Sequence, residues 1–344
     1  MPNFDRTMTR HKIFQRMRPL FATYPESVLQ GDRALARDEI NERIASGWLQ
    51  FESLPCACCY GNAPRPVFVT DRYRVTLTTA ICDMCGFLYQ EPRMTKTALD
   101  WFYGSDIFRR LYHPNQKYEG KYLAACSRVP SRFDPHASYD AFGFLDYLQS
   151  LGIVFNSVFE VGAAGGANLV PAKRAGKDVA GVDLSPGMVD FAQEHGVEVR
   201  LGDVTNVPGG WDIYLIQHVL EHLYDPVGFL KHLHKVGAER LYIGVPGIIT
   251  LMPSVQLAHN FYFSPGSLTE ICRLAGYEPV DIDYYRENNY IVSVFRRSTN
   301  PIKTIYDPDR EKRNVLHIVR TFKLKQKLIS ARDNLRLGNT SHGG

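Results

Sequence analysis

The chain has 344 residues, 44% of them hydrophobic, which leaves room for one large domain with accessories and ample material for a buried core. Its 40 basic and 36 acidic residues give a net charge of +4, too nearly balanced for charge alone to predict a nucleic-acid partner. There is no low-complexity tract and no internal repeat. In chain order, residues 1–50 read as a helical segment, with Ala34 to Ile44 rich in charge and good helix formers. Met1 to Arg18 is punctuated by charge and has no apolar core, which argues against a secretory signal.

Residues 51–94 carry a cysteine cluster. Cys56, Cys58, Cys59, Cys82 and Cys85 crowd together while Cys126 and Cys272 stand apart, unlike the scatter of a secreted disulfide framework. Cys56-x-x-Cys59 and Cys82-x-x-Cys85 form two knuckle-like pairs, each turn aiming two thiolates at one point. Together they predict a closed tetrahedral Zn2+ site on Cys56, Cys59, Cys82 and Cys85. Cys58 is a surplus thiol that could replace a neighbour. Short β-branched strands, Val67–Thr70 and Arg74–Thr78, lie between the pairs, giving the pattern of a zinc-ribbon module. The alternative is reduced, unmetallated thiols in a mixed core. Thiol redox chemistry is disfavoured, because no helix pattern follows either pair to depress a thiol pKa. The run Cys82-Asp-Met-Cys85-Gly86-Phe-Leu-Tyr89-Gln-Glu-Pro92-Arg93, followed by Trp101-Phe-Tyr103, resembles the amino-terminal zinc-binding module of bacterial methyltransferases that act on sugars, sugar nucleotides or surface polysaccharides. The resemblance implies a structural metal whose module helps form the substrate pocket. Four thiolates leave no open coordination position, so the metal is not expected to activate anything.

Residues 95–137 read as a helical connector, opened by a helix with Thr95 as N-cap. From Gly104 to His136 the chain is rich in Tyr, Arg and Lys with little periodicity, suiting either a lid over a substrate or an ordinary packed connector. By composition, Tyr103, Tyr112 and Tyr262 could stack on a sugar, and Arg109 or Arg110 could hold a phosphate.

Residues 138–297 alternate strand and helix. An amphipathic helix at Ser138–Ser150 presents Phe142, Leu145 and Leu148 on one side. Strands follow at Ser157–Val161, Asp178–Val182, Val197–Leu201, Ile213–Ile216 and Leu241–Val245, with a closing hairpin at Pro279–Tyr285 and Tyr290–Phe295. The alternation predicts a mostly parallel sheet with one antiparallel strand at its end. Leu241 to Ala258 carries no formal charge, but Pro246, Gly247 and Pro253 break it, so a buried strand is expected there rather than a membrane span. The run Val158-Phe-Glu160-Val-Gly162-Ala-Ala164-Gly-Gly166 is an apolar strand entering a small-residue turn, and Val179 to Asp183 is a second strand ending in an acid. That is the front half of a nucleotide-binding βαβ unit, with Asp183 placed to accept hydrogen bonds from ribose hydroxyls.

Glu160-x-Gly162-x-Ala164-x-Gly166 resembles the first motif of the class I S-adenosylmethionine-dependent methyltransferases, with Ala164 replacing the middle glycine. Gly202-Asp203 stands where that family has an acid reading the adenine amine. Gln217-His218-Val-Leu-Glu221-His222 looks like a signature behind its fourth strand, and Phe263 to Glu278 matches the run before the terminal hairpin. The resemblance covers Ser138 to Arg297. It implies a Rossmann-like seven-stranded α/β sheet and S-adenosylmethionine as cofactor, held by Glu160, Gly162, Ala164, Gly166, Asp183, Leu184, Met188, Asp203, Val204 and Gln217. His222, His218 and His259 are candidates for a base that takes a proton from an acceptor hydroxyl, since imidazole titrates near neutrality.

Residues 298–344 form a basic tail, with Lys312, Arg313, Arg320, Lys323, Lys325, Lys327, Arg332 and Arg336 interleaved with apolar positions. A solvated helix packed on the protein's own surface is the plainer expectation. A peripheral contact with an anionic membrane face or a protein partner is the alternative. The sequence thus points to a cytoplasmic small-molecule methyltransferase acting at oxygen on a sugar, sugar nucleotide or surface-glycan terminus. An RNA methyltransferase gripping through the ribbon and a non-catalytic scaffold are the competing readings. Gln217-His218-Val-Leu stands where many amino-group methylases carry Asn/Asp-Pro-Pro-Tyr/Phe, so a nucleic-acid acceptor is not expected.

Overall fold

The computed structural model describes residues 29–113, 143–248, 255–285, 289–322 and 324. The expectations for Cys126, Phe142, Pro253, residues 1–28, the connector beyond residue 113 and the tail beyond residue 324 lie outside them. Helix α1 (Asp32–Ala45) precedes five short strands: β1 (Phe51–Glu52), β2 (Pro64–Thr70), β3 (Thr76–Cys82), β4 (Leu88–Gln90) and β5 (Arg93–Met94). Helices α2 (Lys96–Gly104) and α3 (Ile107–Tyr112) follow. The Thr95 hydroxyl caps α2 by accepting from the Ala98 N–H at 3.3 Å.

The larger α/β segment begins with α4 (Gly143–Ser150), which buries Phe144, Tyr147 and Leu148. Next come β6 (Ser157–Val161), α5 (Leu169–Arg174), β7 (Asp178–Asp183), α6 (Pro186–Glu194), β8 (Val199–Leu201) and β9 (Ile213–Gln217). Then follow α7 (Pro226–Lys235), β10 (Arg240–Pro246), β11 (Phe261–Tyr262), α8 (Pro265–Leu274), β12 (Tyr277–Tyr285) and β13 (Tyr290–Arg297). A last helix, α9, spans 308–322.

Seven of these strands form one sheet in the order β12-β13-β10-β9-β6-β7-β8. β13 runs antiparallel to β10 and β12, while β10, β9, β6, β7 and β8 are mutually parallel. All five residues of β9 are buried, as expected of a strand covered on both faces, and this is why its sequence reads as a continuous apolar run. The strand order reverses between β6 and β9, so a crevice opens at their carboxyl ends.

The cysteine-bearing module is joined to this sheet's domain more closely than a bead on a string. Its sheet has the order β11-β4-β3-β2, and β11 comes from within the α/β segment. Phe87 stacks with Tyr89 and Phe261 at ring separations of 6.3 and 5.9 Å, placing both segments in one hydrophobic core. Helix α9 closes over the module. Val315 and Val319 are buried there, Phe322 meets Phe68 edge-on at 5.3 Å, and Lys312 donates to the Asp83 carbonyl at 2.6 Å. Gly86, at φ +84°, lies against this helix so tightly that a Cβ would come within 2.4 Å of the Lys312 nitrogen. The apolar side of the described part of the basic segment is therefore taken up by the protein itself. Among the described residues, no helix is long and apolar enough to cross a membrane.

Candidate active site

A cavity of about 500 Å3 opens at the carboxyl ends of β6, β7 and β9, under α2 and α3. Of the residues named from the sequence, Gly162, Ala164, Asp183, Leu184, Met188, Asp203, Val204, His218 and His222 line it. Glu160, Gly166, Gln217 and His259 do not, and each has another place. Glu160 is fully buried beneath the turn, accepts a hydrogen bond from Asn168, and has its second carboxyl oxygen unpartnered. Burial pushes its pKa well above the ordinary carboxylate value. Gly166, at φ +76°, closes the turn against Val197, where a Cβ would come within 2.7 Å. Gln217 is buried at the end of β9, and His259 sits behind His222 with the two rings 4.8 Å apart.

On the wall formed by β6 and β7, Asp183 accepts from the backbone N–H groups of Ala164 and Ser185, both at 2.8 Å. Burial raises its pKa, while those two N–H groups and the nearby Arg109 guanidinium oppose the rise. Arg109 comes from α3 and donates to the Ser185 hydroxyl at 2.5 Å, tying the connector helices to this rim. Ala164 holds φ +46°, a left-handed conformation that costs an L-residue about 1–2 kcal/mol. The missing middle glycine is therefore a strained substitution rather than a neutral one. On the next wall, Asp203 caps a single 3-10 turn at Val204–Asn206, which is all the helix that the short connection after β8 holds. The Thr205 hydroxyl and N–H donate to Asp203 and keep its pKa low.

The wall beyond β9 carries the histidines. His222 Nδ1 lies 2.8 Å from the Ala258 carbonyl and 2.7 Å from the Tyr103 hydroxyl, which itself donates to the same carbonyl at 2.9 Å. A carbonyl can only accept, so the Nδ1 facing Ala258 carries the hydrogen and Nε2 keeps a lone pair. Burial lowers the His222 pKa below 6.5, partly opposed by Glu221, so the ring is neutral at neutral pH. Glu221 is buried, with Oε1 3.2 Å from His218 Nδ1 and 3.7 Å from His222 Nε2. His218 takes a left-handed φ of +54° and lies against the tilted Tyr290 ring at 5.0 Å, which makes it a fixed corner of the loop. Sequence reasoning passed over Glu221, although its place between the two histidines and three residues from His218 was the available signal.

Other suggested contacts fall elsewhere. Tyr112 and Tyr262 are buried in the core. Tyr112 donates to Asp71 at 2.8 Å, and burial lifts the Tyr262 pKa to about 12. Neither is available to stack on a ligand. Arg110 pairs with Glu39 at 3.2 Å, whereas Tyr103, Phe108 and Arg109 do line the cavity.

Away from the cavity, the thiols of Cys56, Cys59, Cys82 and Cys85 lie within 4.8 Å of one another, with Cys56–Cys85 and Cys59–Cys82 sulfur separations of 3.6 Å. Zinc–sulfur bonds of ~2.3 Å require tetrahedral sulfur–sulfur edges of about 3.8 Å, so the set fits that ion after small adjustments. Cys58 is buried nearby but is not one of the four.

Residues 159–240 match the model of a family described as a methyltransferase domain. The chain is 25% identical over 166 residues to a ubiquinone biosynthesis O-methyltransferase of Ralstonia nicotianae, covering 40% of this chain and 70% of that protein. It is 27% identical over 185 residues to the protein of the same name from Bordetella avium, covering 45% and 76%. Among solved structures, it is similar to magnesium protoporphyrin IX methyltransferase (ChlM) from Synechocystis PCC 6803, at 17% identity and a TM-score of 0.45, over 59% of this chain and 100% of that one.

Proposed function

We propose that the chain is an S-adenosylmethionine-dependent methyltransferase that methylates a hydroxyl oxygen of a small molecule, with His222 as the proton acceptor. The observation that carries this reading is the His222 ring in the cavity wall with its Nδ1 2.8 Å from the Ala258 carbonyl, which leaves Nε2 as the nitrogen able to accept a proton. When bound, the cofactor would supply an electrophilic methyl on a sulfonium sulfur for transfer to the acceptor oxygen. The acceptor's proton goes to His222 Nε2, and buried Glu221 stabilises the imidazolium that results. Asp183 serves the ribose hydroxyls, Asp203 the adenine amine, and Leu184, Met188 and Val204 the faces of the adenine ring. Glu160 and the Gly162–Gly166 turn support them from below. Zn2+ in the Cys56, Cys59, Cys82 and Cys85 site holds the module in shape and takes no part in the chemistry.

For the acceptor we favour a sugar, sugar nucleotide or glycan terminus. Tyr103, Phe108 and Tyr224 line the cavity beside His222 as flat faces for a pyranose, and Lys96 and Arg109 supply cations at the rim for a phosphate. The resemblance of the module to those of sugar methyltransferases supports the same class. A second reading, an aromatic hydroxyl, is favoured by the relatives named for O-methylation in ubiquinone biosynthesis. Incubation with isotopically labelled cofactor and a panel of sugar nucleotides, free sugars, catechols and RNA, followed by mass spectrometry, separates them. Label on a catechol and on no sugar would replace the first reading by the second, and label in RNA alone would overturn both.

A further inference from the structure

We infer that Gln90, inside the cysteine-bearing module, is a positioning residue for proton transfer: its amide gathers the carbonyls of the 256–259 turn and so aims the Ala258 carbonyl at His222. The inference rests on reading His222 as the base, and adds that the module sets the tautomer of that base.

Gln90 ends β4 and is fully buried. Its backbone N–H donates to the Asn260 carbonyl at 2.9 Å, extending the β4–β11 ladder by one step. Its side-chain nitrogen lies 2.8 Å from the Gln256 carbonyl, 3.1 Å from Leu257 and 2.6 Å from His259. Three backbone carbonyls thus converge on one amide. Ala258, the residue between them, is the one whose carbonyl turns away, toward His222 Nδ1 and the Tyr103 hydroxyl. Carbonyls gathered that closely repel one another unless a donor sits among them, and buried carbonyls left without a donor cost about 1–3 kcal/mol each.

The neighbouring residues fasten the turn to the histidine loop. Asn260 donates from its side chain to the carbonyls of His222 and Leu223, both at 3.0 Å, and from its backbone to the Glu221 carbonyl at 2.8 Å. Leu257 N–H donates to Tyr112 at 2.8 Å. The 255–260 segment is therefore a connecting piece whose one side is registered on the module and whose other side holds the base. Without Gln90 the Ala258 carbonyl loses its fixed direction, and the imidazole is free to place its hydrogen on either nitrogen.

The test uses the full chain with its metal bound. In the wild-type protein, 15N spectra of the imidazole should show His222 protonated at Nδ1; the Nε2-protonated tautomer overturns the inference. Gln90→Met keeps the bulk and removes the amide. We expect kcat to fall about tenfold to a hundredfold, the range for a misplaced catalytic group. The KM for S-adenosylmethionine should change less than twofold, since the Asp183 wall is untouched, and the His222 spectrum should become a mixture of tautomers. The acid limb of the kcat profile should move to lower pH, because the Ala258 carbonyl is one of the groups that favour the protonated ring. Combining Gln90→Met with His222→Asn should add nothing to the loss caused by His222→Asn alone. A Gln90→Met protein with the wild-type rate, tautomer and pH profile refutes the positioning role. If it does not fold, Gln90→Asn, which keeps the amide but withdraws it by one methylene, gives the same readouts. A His222→Asn protein with undiminished kcat would instead remove the base reading itself, so the two failures are distinct.

Discussion

Replacing Asp183 by asparagine tests the cofactor wall at near-constant shape. Each carboxyl oxygen accepts one backbone N–H, from Ser185 and from Ala164, at 2.8 Å. An amide offers only one acceptor, so one of those N–H groups faces an NH2 instead. Hydrogen bonds to a charged group are worth about 1.5–3 kcal/mol, and the turn after β6 loses one of them. Part of the cost is returned, because burial already disfavours the ionised carboxylate and raises its pKa. The net loss of folding stability should therefore be about 1 kcal/mol. Cofactor affinity has no such offset: the ribose hydroxyls lose a charged acceptor, and at 1.4 kcal/mol per factor of ten the dissociation constant should rise about tenfold to a hundredfold. Calorimetric titration with S-adenosylmethionine, beside a thermal melt, reads both quantities. An Asp183→Asn protein that melts near wild type and binds within twofold of it would refute the assignment of this wall.

Four further outcomes concern the base, the turn after β6 and the metal site. The His222 pKa lies below 6.5, so kcat/KM should hold through neutrality and fall on an acid limb centred below that value; a midpoint above 6.5 would contradict a buried neutral base. The same group contributes stability that is present above the unfolded value and is lost as pH falls through the lowered one. Ala164→Gly should leave the fold intact and raise stability by up to about 1 kcal/mol, since relief of the left-handed strain outweighs the extra unfolded-state freedom of glycine; a lower melting temperature would show that the alanine is not strained. Purified protein should contain one zinc per chain, and Cys82→Ser should lose it along with several degrees of melting temperature; full stability without metal would contradict the ribbon assignment.

The parallel strands were legible because burial on both faces writes them as apolar runs: Ser157–Val161 was placed to the residue, and Ile213–Ile216 only stops one short. Asp183, Leu184, Met188, Asp203 and Val204 were legible because each stands at or just beyond a strand's carboxyl end, where the crevice must open. β11 was not. A two-residue strand has no period, and its partner lies far back in the module. The same separation hid Gln90, which looks like an ordinary polar residue at the end of a strand until the 256–259 carbonyls surround it. Three histidines looked equivalent on the page. The hydrogen bond to the Ala258 carbonyl is what singles out His222 as the ring whose Nε2 keeps a lone pair.

Methyl transfer from labelled S-adenosylmethionine to a hydroxyl acceptor, followed through a single turnover in wild-type and His222→Asn proteins at saturating cofactor, tests the central claim most directly. The variant should bind the cofactor as tightly as the wild type and transfer the label about a hundredfold to ten-thousandfold more slowly. Equal transfer rates in the two proteins would contradict the account.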